Sequence, residues 1–294
     1  MRIFLTGATG FIGSKIVPEL IGAGHQVLGL TRSDAGERAL LDKGAQAHRG
    51  DIEDLESVRR GAAECDGVIH TAFDHNFENF VANCEKDRRV ILALGDALKG
   101  TASPLVITSG TAMGQPGPGQ LATEDHFNPE HKNPRIASEL AGQELLQRGI
   151  NVSVMRLSQI HDANKQGLVT YLIALARAKG ISAYAGDGQN RWSAAHVSDT
   201  AHLFRLALEK HQAGGRYNAT AEEGITLRRI AEVIGERLDV PVTSVPEKEV
   251  AAHFGWLSVF AGAELAASSA RTQERLHWRP TGPNLLTSLR QIQQ

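Results

Sequence analysis

Three glycines at regular spacing form the segment of this sequence whose chemistry is easiest to read. They lie in "TGATGFIGS" (6–14), a G-x-x-G-x-x-G run between a strand-like and a helix-like segment. Gly7 permits a tight turn, Gly10 lets the backbone approach a pyrophosphate, and Gly13 lets the next helix pack close to a sheet. At the first strand–helix junction, this spacing predicts a dinucleotide-binding loop. Its other predicted cofactor-binding residues are Thr9, Phe11 and Ile12.

The end of the second predicted strand carries a side chain that could select between two dinucleotides. Thr31, Arg32 and Ser33 lie there, and Asp34 already belongs to the next helix. An acid at this point binds the ribose hydroxyls of NAD, whereas an arginine favours the 2′-phosphate of NADP. A guanidinium beside a hydroxyl suits a phosphate, so we predict NADP(H) as the preferred cofactor and keep NAD(H) as the alternative. A solvated surface role for Arg32 is the competing interpretation.

The elements that must position these residues alternate between strand and helix. Strands are predicted at 2–7, 25–30, 45–51, 66–73, 103–110 and 151–157, and helices at 11–23, 34–43, 53–62, 79–98 and from 133–139 to near Gly149. The alternation predicts a Rossmann-type doubly wound parallel sheet in an α/β fold. Ligands of such folds bind at the carboxyl ends of the strands. Asp51 and Ile52, at the end of the third strand, are therefore expected beside an adenine ring.

The pattern loosens after about residue 160. Further helices are predicted at 168–179, 198–210 and 226–238, and short strands near 181–185 and 215–219. We predict a dinucleotide-binding domain at 1–164, to which 191–218 returns, and a smaller interleaved α/β substrate lobe at 165–294. "HFGWLSVFAG" (253–262) is predicted to present one broad apolar helix face. Core packing is favoured over an aromatic substrate cage, and a pocket wall is compatible with both.

Composition sets limits on the partners. Of 294 residues, 41% are hydrophobic and 22% are charged, as in ordinary globular proteins, and the net charge of −2 gives no reason to expect nucleic acid or an anionic membrane. Cys65 and Cys84 show no ligand spacing and are predicted to be reduced. No export signal precedes the first strand and no apolar run approaches a membrane span, so a cytoplasmic protein is predicted.

Together these motifs resemble the short-chain dehydrogenase/reductase superfamily in its extended or atypical branch. That branch is related to nucleotide-sugar epimerases and dehydratases, 3β-hydroxysteroid dehydrogenases and dihydroflavonol-type reductases. The resemblance covers nearly the whole chain: "TGATGFIGS" matches the glycine loop, "GDIED" matches the adenine-side motif, and "VIHTAF" stands at the "HLA"-like strand. "ITSGTAMG", "VSVMRLSQIHD" and "RWSAAHVSDTA" are similar to "SSxxVYG", "RPxxVYG" and "RDFVHVDDVA". The resemblance adds Thr71, Ala72 and Thr108 to the predicted cofactor site.

The resemblance also implies a catalytic serine. Counting back from Gly114 of "ITSGTAMG" identifies Ser109, at the end of the fifth predicted strand. A hydroxyl there can hydrogen-bond a substrate carbonyl oxygen as hydride arrives. Thr111, just beyond it, is a candidate substrate contact.

The sequence departs from the family at the next motif. "PRIASE" aligns with the family pattern "PYxxSK" through Pro134 and Ser138, so that Arg135 replaces the proton-transferring Tyr and Glu139 replaces the Lys. Arg is not an acid near neutral pH, because its pKa lies above about 12. Glu139 could bind ribose hydroxyls, but its charge would raise the pKa of a neighbouring acid rather than lower it. The standard proton relay is therefore absent.

Two hypotheses account for this departure. In the first, Arg135 and Glu139 form an exposed ion pair worth a few tenths of a kcal/mol, and the protein binds a cofactor without catalysis. In the second, Arg135 polarises a carbonyl or holds an anionic substrate group, and another residue supplies the proton. Tyr184, before a "GDG" turn, and His161, at the Tyr of the "VYG"-like motif, are the candidates expected to face the cleft.

Two remaining motifs bear on the ligand. His196 and His202 are six residues apart, a spacing that does not place them on one helix face, so no metal is predicted. Nucleotide-sugar members carry "GDGxQxRDF", in which the Arg contacts a diphosphate. Here Arg191 follows "GDGQN" with one residue fewer and Trp192 replaces the acid. Both are candidate substrate residues, but a sugar-nucleotide substrate is disfavoured.

The sequence thus predicts an NADP(H)-preferring oxidoreductase acting on a small carbonyl or alcohol substrate. The alternatives are an epimerase or dehydratase that keeps its cofactor bound, and a regulatory protein that senses NADP(H). Helices 79–98 and 135–148 occupy the places where the family pairs its subunits, which is compatible with a homodimer.

Overall fold

Seven parallel strands form the central sheet. The computed structural model describes residues 1–293, whose strands are β1 (Arg2–Thr6), β2 (Gln26–Thr31), β3 (Gln46–Arg49), β4 (Gly67–His70), β5 (Leu105–Gly110), β6 (Val152–Leu157), β7 (Gln159–His161), β8 (Ser182–Ala185), β9 (Arg191–His196), β10 (Arg216–Ala219), β11 (Glu222–Thr226) and β12 (Val242–Val245). The central order is β3-β2-β1-β4-β5-β6-β10. Every neighbouring pair in it is parallel. This confirms the predicted Rossmann-type sheet.

Helices cover both faces of the sheet because the central strands are apolar on both sides. The helices are α1 (Gly13–Gly22), α2 (Asp34–Leu41), α3 (Leu55–Ala63), α4 (Phe80–Ala97), α5 (Ile136–Gln147), α6 (Val169–Lys179), α7 (Val197–Lys210), α8 (Leu227–Leu238), α9 (Glu247–Phe254), α10 (Ser258–Ala261), α11 (Ala270–Leu276) and α12 (Leu285–Arg290). Ile3 and Leu5 of β1 share a core with α1 and α7, whereas Phe4 between them packs with α3, α4 and α5. Successive side chains of β1 point to opposite faces of the sheet, so this strand contributes to two core layers, one on each face.

The later part of the chain contributes to both the central sheet and a second core. Strand β10 pairs with β6 at one edge of the central sheet. Strands β7, β9 and β11 form a separate three-stranded sheet, and β8 pairs with β12. Their apolar side chains form a second core with α6, α8 and α12. The exact split into a cofactor domain and a substrate lobe stays a prediction.

The segment 253–262 does not form one helix, so that prediction was wrong. Helix α9 ends at Phe254, and Gly255 adopts φ 57°, a left-handed value that favours glycine and interrupts the helix. A short 3₁₀ turn over Gly255–Leu257 leads into α10. Phe254 and Leu257 are buried in the second core, whereas Trp256 is 41% exposed.

Cys65 and Cys84 are free thiols, half-buried and buried respectively. Burial raises the pKa of each thiol to about 11. Within residues 1–293, no helix combines the length and the apolar character that crossing a membrane requires. In the same part of the chain, no three His, Cys, Asp or Glu side chains are grouped as metal ligands would be.

Candidate active site

The glycine loop after β1 is as tight as its spacing predicts. Gly7 adopts φ +69°, and a Cβ on it would lie 2.8 Å from the backbone nitrogen of Ala72. A Cβ on Gly13 would lie 2.1 Å from the carbonyl oxygen of Gly7, so a larger residue there would push α1 off the loop. The Gly10 nitrogen donates to the Gly7 carbonyl at 2.9 Å, which closes the turn.

A cavity of about 750 Å³ opens at this loop. It lies at the carboxyl ends of β1, β2, β4 and β5, where the strand order reverses direction and open α/β sheets bind their ligands. The structure brings these sequence-predicted residues together along its walls: Gly7, Thr9, Gly10, Phe11, Ile12, Gly13, Thr31, Arg32, Asp51, Ile52, Thr71, Ala72, Thr108, Ser109, Thr111 and Arg135.

Arg32 lies exposed at one end of the cavity, with its guanidinium 3.5 Å from the Asp51 carboxylate. Asp34 is occupied elsewhere, since its carboxylate lies 3.1 Å from the Arg49 guanidinium. Ser33 does not line the cavity, because its hydroxyl caps α2 by accepting from the Gly36 nitrogen. The predicted contact of the Ser33 side chain with cofactor stays a prediction, whereas the exposed Arg32 guanidinium lines the cavity, where an anion would compete with Asp51 for it.

Ser109 lies at the end of β5 and faces the cavity. Its side chain is almost fully buried, and its Oγ has no hydrogen-bond partner within residues 1–293. A buried hydroxyl without a partner costs about 1–3 kcal/mol, and such groups in folded proteins call for a reason. A ligand oxygen in the cavity would satisfy it.

Arg135 is bound to the sheet and to α4 rather than to Glu139. Its guanidinium lies 2.6 Å from the Asp87 carboxylate and donates to the Thr108 carbonyl at 2.9 Å. It also covers the Phe73 ring, with Cζ 4.0 Å from the ring centre. The exposed Arg135–Glu139 pair of the first hypothesis is thus wrong, because each side chain has found a buried partner of opposite charge.

A buried polar chain supports Arg135 from behind. The Thr6 hydroxyl lies 2.6 Å from Nδ1 of His70, whose Nε2 lies 2.9 Å from Asp87. Ser138 donates to the same carboxylate at 2.6 Å. Burial alone would raise the pKa of Asp87, but the charge of Arg135 and the bonds from His70 and Ser138 outweigh it and lower that pKa to about 2. Asp87 therefore stays ionised and holds the guanidinium in place.

Glu139 does not line the cavity, which corrects its predicted role as a ribose ligand. Its two oxygens accept from Nε and one terminal nitrogen of Arg156 at 2.8 and 2.9 Å, and both side chains are fully buried. Arg216 adds a third contact at 3.3 Å. Buried charges of this kind must be paired, and the carboxylate is committed to that task.

His161 and Tyr184 do not face the cavity, so neither can serve as the proton donor there. His161 is fully buried beside Ser288, and burial, then the charge of His196, lowers its pKa to about 4. Tyr184 lies on β8 and packs against the second core near Arg228. Being next to a motif in sequence did not put either side chain on the cavity side of its strand.

The two predicted substrate residues of β9 also lie outside the cavity. Arg191 pairs with Glu264 through Nε at 3.1 Å, and Trp192 is fully buried in the second core. Because neighbouring residues of a strand point to opposite faces, Trp192 turns inward where Arg191 turns outward. Neither contacts the space where substrate would bind.

The sequence reasoning missed one lysine of the cavity and most of its aromatic side, of which it had considered only the segment that contains Phe260. Phe73, Phe77, Phe80, Tyr171 and Phe260 line it from three separate parts of the chain. Lys165 lines it too, with Nζ 5.8 Å from the centre of the Phe11 ring. The sequence carried two signals for the aromatic side: the aromatic spacing in "FDHNFENF" (73–80) and the segment "HFGWLSVFAG" (253–262), which contains Phe260 and was expected to be core or pocket wall.

Comparison with known proteins agrees with this geometry. The model of the NAD dependent epimerase/dehydratase family matches residues 3–220. An uncharacterized protein of Schizosaccharomyces pombe is 47% identical over 98% of both chains, and the UDP-glucose 4-epimerase of Streptomyces lividans is 28% identical over 97% of this chain and 93% of its own. The solved UDP-glucose 4-epimerase of Thermus thermophilus, in complex with NAD, shares the fold with a TM-score of 0.76 at 24% identity, over 99% and 97% of the two chains. The chain therefore belongs to the NAD dependent epimerase/dehydratase family.

Proposed function

We propose that this protein is an NADP(H)-preferring oxidoreductase that transfers hydride to or from a small carbonyl or alcohol substrate. The observation that carries the proposal is the buried hydroxyl of Ser109, which has no hydrogen-bond partner in the described part of the chain and shares one cavity with the glycine loop. The loop fits a dinucleotide because its tight turn and the close approach of α1 depend on Gly7 and Gly13, where a Cβ would clash with neighbouring backbone. The backbone around Gly10 and the start of α1 would then hold the pyrophosphate.

Ser109 would act on the substrate oxygen. NADPH, when bound, supplies the hydride. As hydride reaches the carbonyl carbon, negative charge develops on the oxygen, and a hydroxyl aimed at that oxygen stabilises it. Arg135 uses three of its five N–H groups on Asp87, Ser138 and the Thr108 carbonyl, which leaves two for the cavity. One of these can be a second donor to the same oxygen.

The proton needs a donor other than the two that the sequence suggested. The chain has three tyrosines, Tyr171, Tyr184 and Tyr217. Tyr217 is fully buried in the core, and Tyr184 lies outside the cavity, whereas Tyr171 lines it. We assign proton transfer to the Tyr171 hydroxyl, which is the same kind of acid that the family places elsewhere.

Replacing Arg32 tests the cofactor preference. We expect Arg32→Ala to weaken NADPH binding roughly tenfold, because a charge-assisted bond to the 2′-phosphate is lost at an exposed site. NADH binding should not change. Fluorescence titration with both dinucleotides measures this, with Arg49→Ala as the matched control, since Arg49 pairs with Asp34 and does not line the cavity. An unaltered NADPH/NADH affinity ratio in Arg32→Ala would rule out the phosphate contact.

Removing one phenolic oxygen tests the proton donor. Tyr171→Phe should lower kcat on the order of 100-fold, the lower range for loss of a general acid, while the ring and its packing remain. Tyr184→Phe removes the same atom outside the cavity and should leave kcat unchanged. If the two variants behave alike, proton transfer does not use Tyr171.

A carbonyl panel tests the reaction class. NADPH oxidation followed at the nicotinamide absorbance should appear with some aldehyde, ketone or quinone. Tight NADPH binding without turnover of any member would instead favour the sensing function.

A further inference from the structure

Five aromatic residues, which we call the aromatic wall, line the cavity beyond Ser109: Phe73, Phe77, Phe80, Tyr171 and Phe260. All five are only partly buried. Half-exposed aromatic rings grouped around a cavity are a feature of ligand sites rather than of a solvated surface. The proposed function uses only the hydroxyl of Tyr171 and gives no role to the ring of Tyr171 or to the four phenylalanines.

The rings of the aromatic wall are held in fixed orientations. Trp256 stacks on Phe77 with the ring centres 4.4 Å apart and the planes 11° apart. Tyr171 meets Phe77 edge-on at 5.9 Å, and Phe260 approaches it at 6.4 Å. Trp256 itself does not line the cavity, so it supports the wall from outside. A ligand would therefore meet a preformed aromatic surface.

The aromatic wall begins beside the proposed reacting atoms. Arg135 covers Phe73 at 4.0 Å and donates to the carbonyl of Thr108, the residue before Ser109. Phe73 in turn lies 6.2 Å from Phe80 between ring centres. A molecule whose carbonyl oxygen meets Ser109 would thus extend its remaining atoms along the rings.

The charges in the part of the cavity beyond the cofactor loop do not suit the diphosphate of a nucleotide-sugar substrate. Among its cationic residues, Lys86 is paired with Glu53 and Asp74, and Arg135 is paired with Asp87. Arg32 lies at the opposite, cofactor end. Of the lysines and arginines that line the cavity, only Lys165, next to the glycine loop, has no ion pair within residues 1–293. Arg191, the residue that the motif offered for a diphosphate, is bound to Glu264 outside the cavity.

We propose that the aromatic wall binds a planar aromatic carbonyl compound, such as an aryl ketone, aldehyde or quinone, rather than a nucleotide sugar. This inference rests on the proposed function. For an aryl ketone, a C–H bond forms at the carbonyl carbon with hydride from the reduced nicotinamide, and the π electron pair moves to the oxygen. The oxygen takes one proton, so the ketone leaves as an alcohol and the cofactor leaves oxidised.

Binding to the NADP⁺ complex tests the inference without turnover, because the oxidised cofactor has no hydride to give a ketone. Isothermal titration should show 2-acetylnaphthalene binding roughly tenfold tighter than cyclohexyl methyl ketone, which has the same acetyl group without an aromatic ring. UDP-glucose should bind more weakly than 2-acetylnaphthalene. Tighter binding of UDP-glucose would overturn the inference.

Substitutions locate the bound ring. Phe77→Leu and Phe260→Leu should each weaken 2-acetylnaphthalene about threefold to tenfold and leave cyclohexyl methyl ketone little changed. Phe254→Leu is the control, since Phe254 is buried nearby but does not line the cavity. An unchanged affinity in both wall variants would overturn the inference.

Different results would contradict the oxidoreductase function and the aromatic substrate class. Binding of 2-acetylnaphthalene through Phe77 without reduction of any carbonyl compound would support the aromatic wall and contradict the oxidoreductase function. Reduction of an aliphatic or sugar carbonyl without binding of 2-acetylnaphthalene would support the function and contradict the substrate class.

Discussion

Ser109→Ala is expected to lower kcat on the order of 10²- to 10³-fold, the cost of removing one donor to a developing oxyanion. Dinucleotide affinity should stay the same, because the hydroxyl is assigned to the substrate oxygen. Stability should not fall, since the substitution removes a buried hydroxyl that has no hydrogen-bond partner within residues 1–293. Steady-state NADPH oxidation, dinucleotide titration and urea unfolding measure the three effects.

Ser182→Ala is the matched control for this variant. Ser182 is equally buried, but its hydroxyl donates to the Ala231 carbonyl at 2.7 Å, away from the cavity. We expect it to lose about 1 kcal/mol of unfolding free energy and no activity. A Ser109→Ala enzyme with unaltered kcat would remove this hydroxyl from the mechanism, and a destabilised one would indicate a structural role.

Glu139→Gln is expected to cost about 3–5 kcal/mol of unfolding free energy, because it leaves the buried Arg156 guanidinium without a counter-charge. NADPH affinity of the folded fraction should be unchanged, since the carboxylate lies outside the cavity. Urea unfolding and dinucleotide titration check the two parts. Normal stability with weaker NADPH binding would restore Glu139 to the cofactor site.

Glu144→Gln is the control on the same helix. Glu144 is about a third exposed and pairs with Arg88 at 2.8 Å, so its neutralisation should cost only ~0.2–1 kcal/mol. Should Glu139→Gln fail to fold, a double variant that replaces both Glu139 and Arg156 by Met provides the measurement. It should be more stable than either single change, because the fully buried Arg156–Glu139 pair is then removed whole and only the part-buried Arg216 loses a partner.

Two separate buried ion pairs explain why Arg135 and Glu139 replace the Tyr and Lys of the family motif. Arg135 and Glu139 occupy the positions of a proton relay, yet each is the end of a separate buried ion pair. Arg135 keeps its place at the cavity through Asp87, and Glu139 anchors Arg156, which also binds the carbonyls of Thr123 and His126. Arg135 thus remains at the cavity, whereas Glu139 has a structural role away from it.

The sequence does contain a sign that Arg156 needs a buried partner. Arg156 stands in "VSVMRL", an otherwise apolar strand of a sheet expected to be covered on both faces. A charged residue at such a position requires a buried partner of opposite charge. The sequence could therefore have indicated that an acid was needed nearby, but not which one, because the partner comes from a helix 17 residues earlier.

The sequence by itself determined the strand–helix alternation, the glycine loop and the placement of Ser109 at the end of β5. Each of these depends on contiguous residues: a glycine spacing sets the shape of one loop, and an apolar run sets one strand. The carboxyl ends of parallel strands then meet at one edge without any further information.

Only the tertiary structure decided which side chains reach the cavity. His161 and Trp192 lie in segments that resemble family motifs. Their side chains nevertheless point into the protein interior, because their positions in β7 and β9 face the core. Arg135 pairs with Asp87, 48 residues away in the chain, and the aromatic wall is assembled from the connection between β4 and α4, the first residue of α4, α6 and α10. Such contacts depend on how distant elements pack, and a local pattern carries no information about that packing.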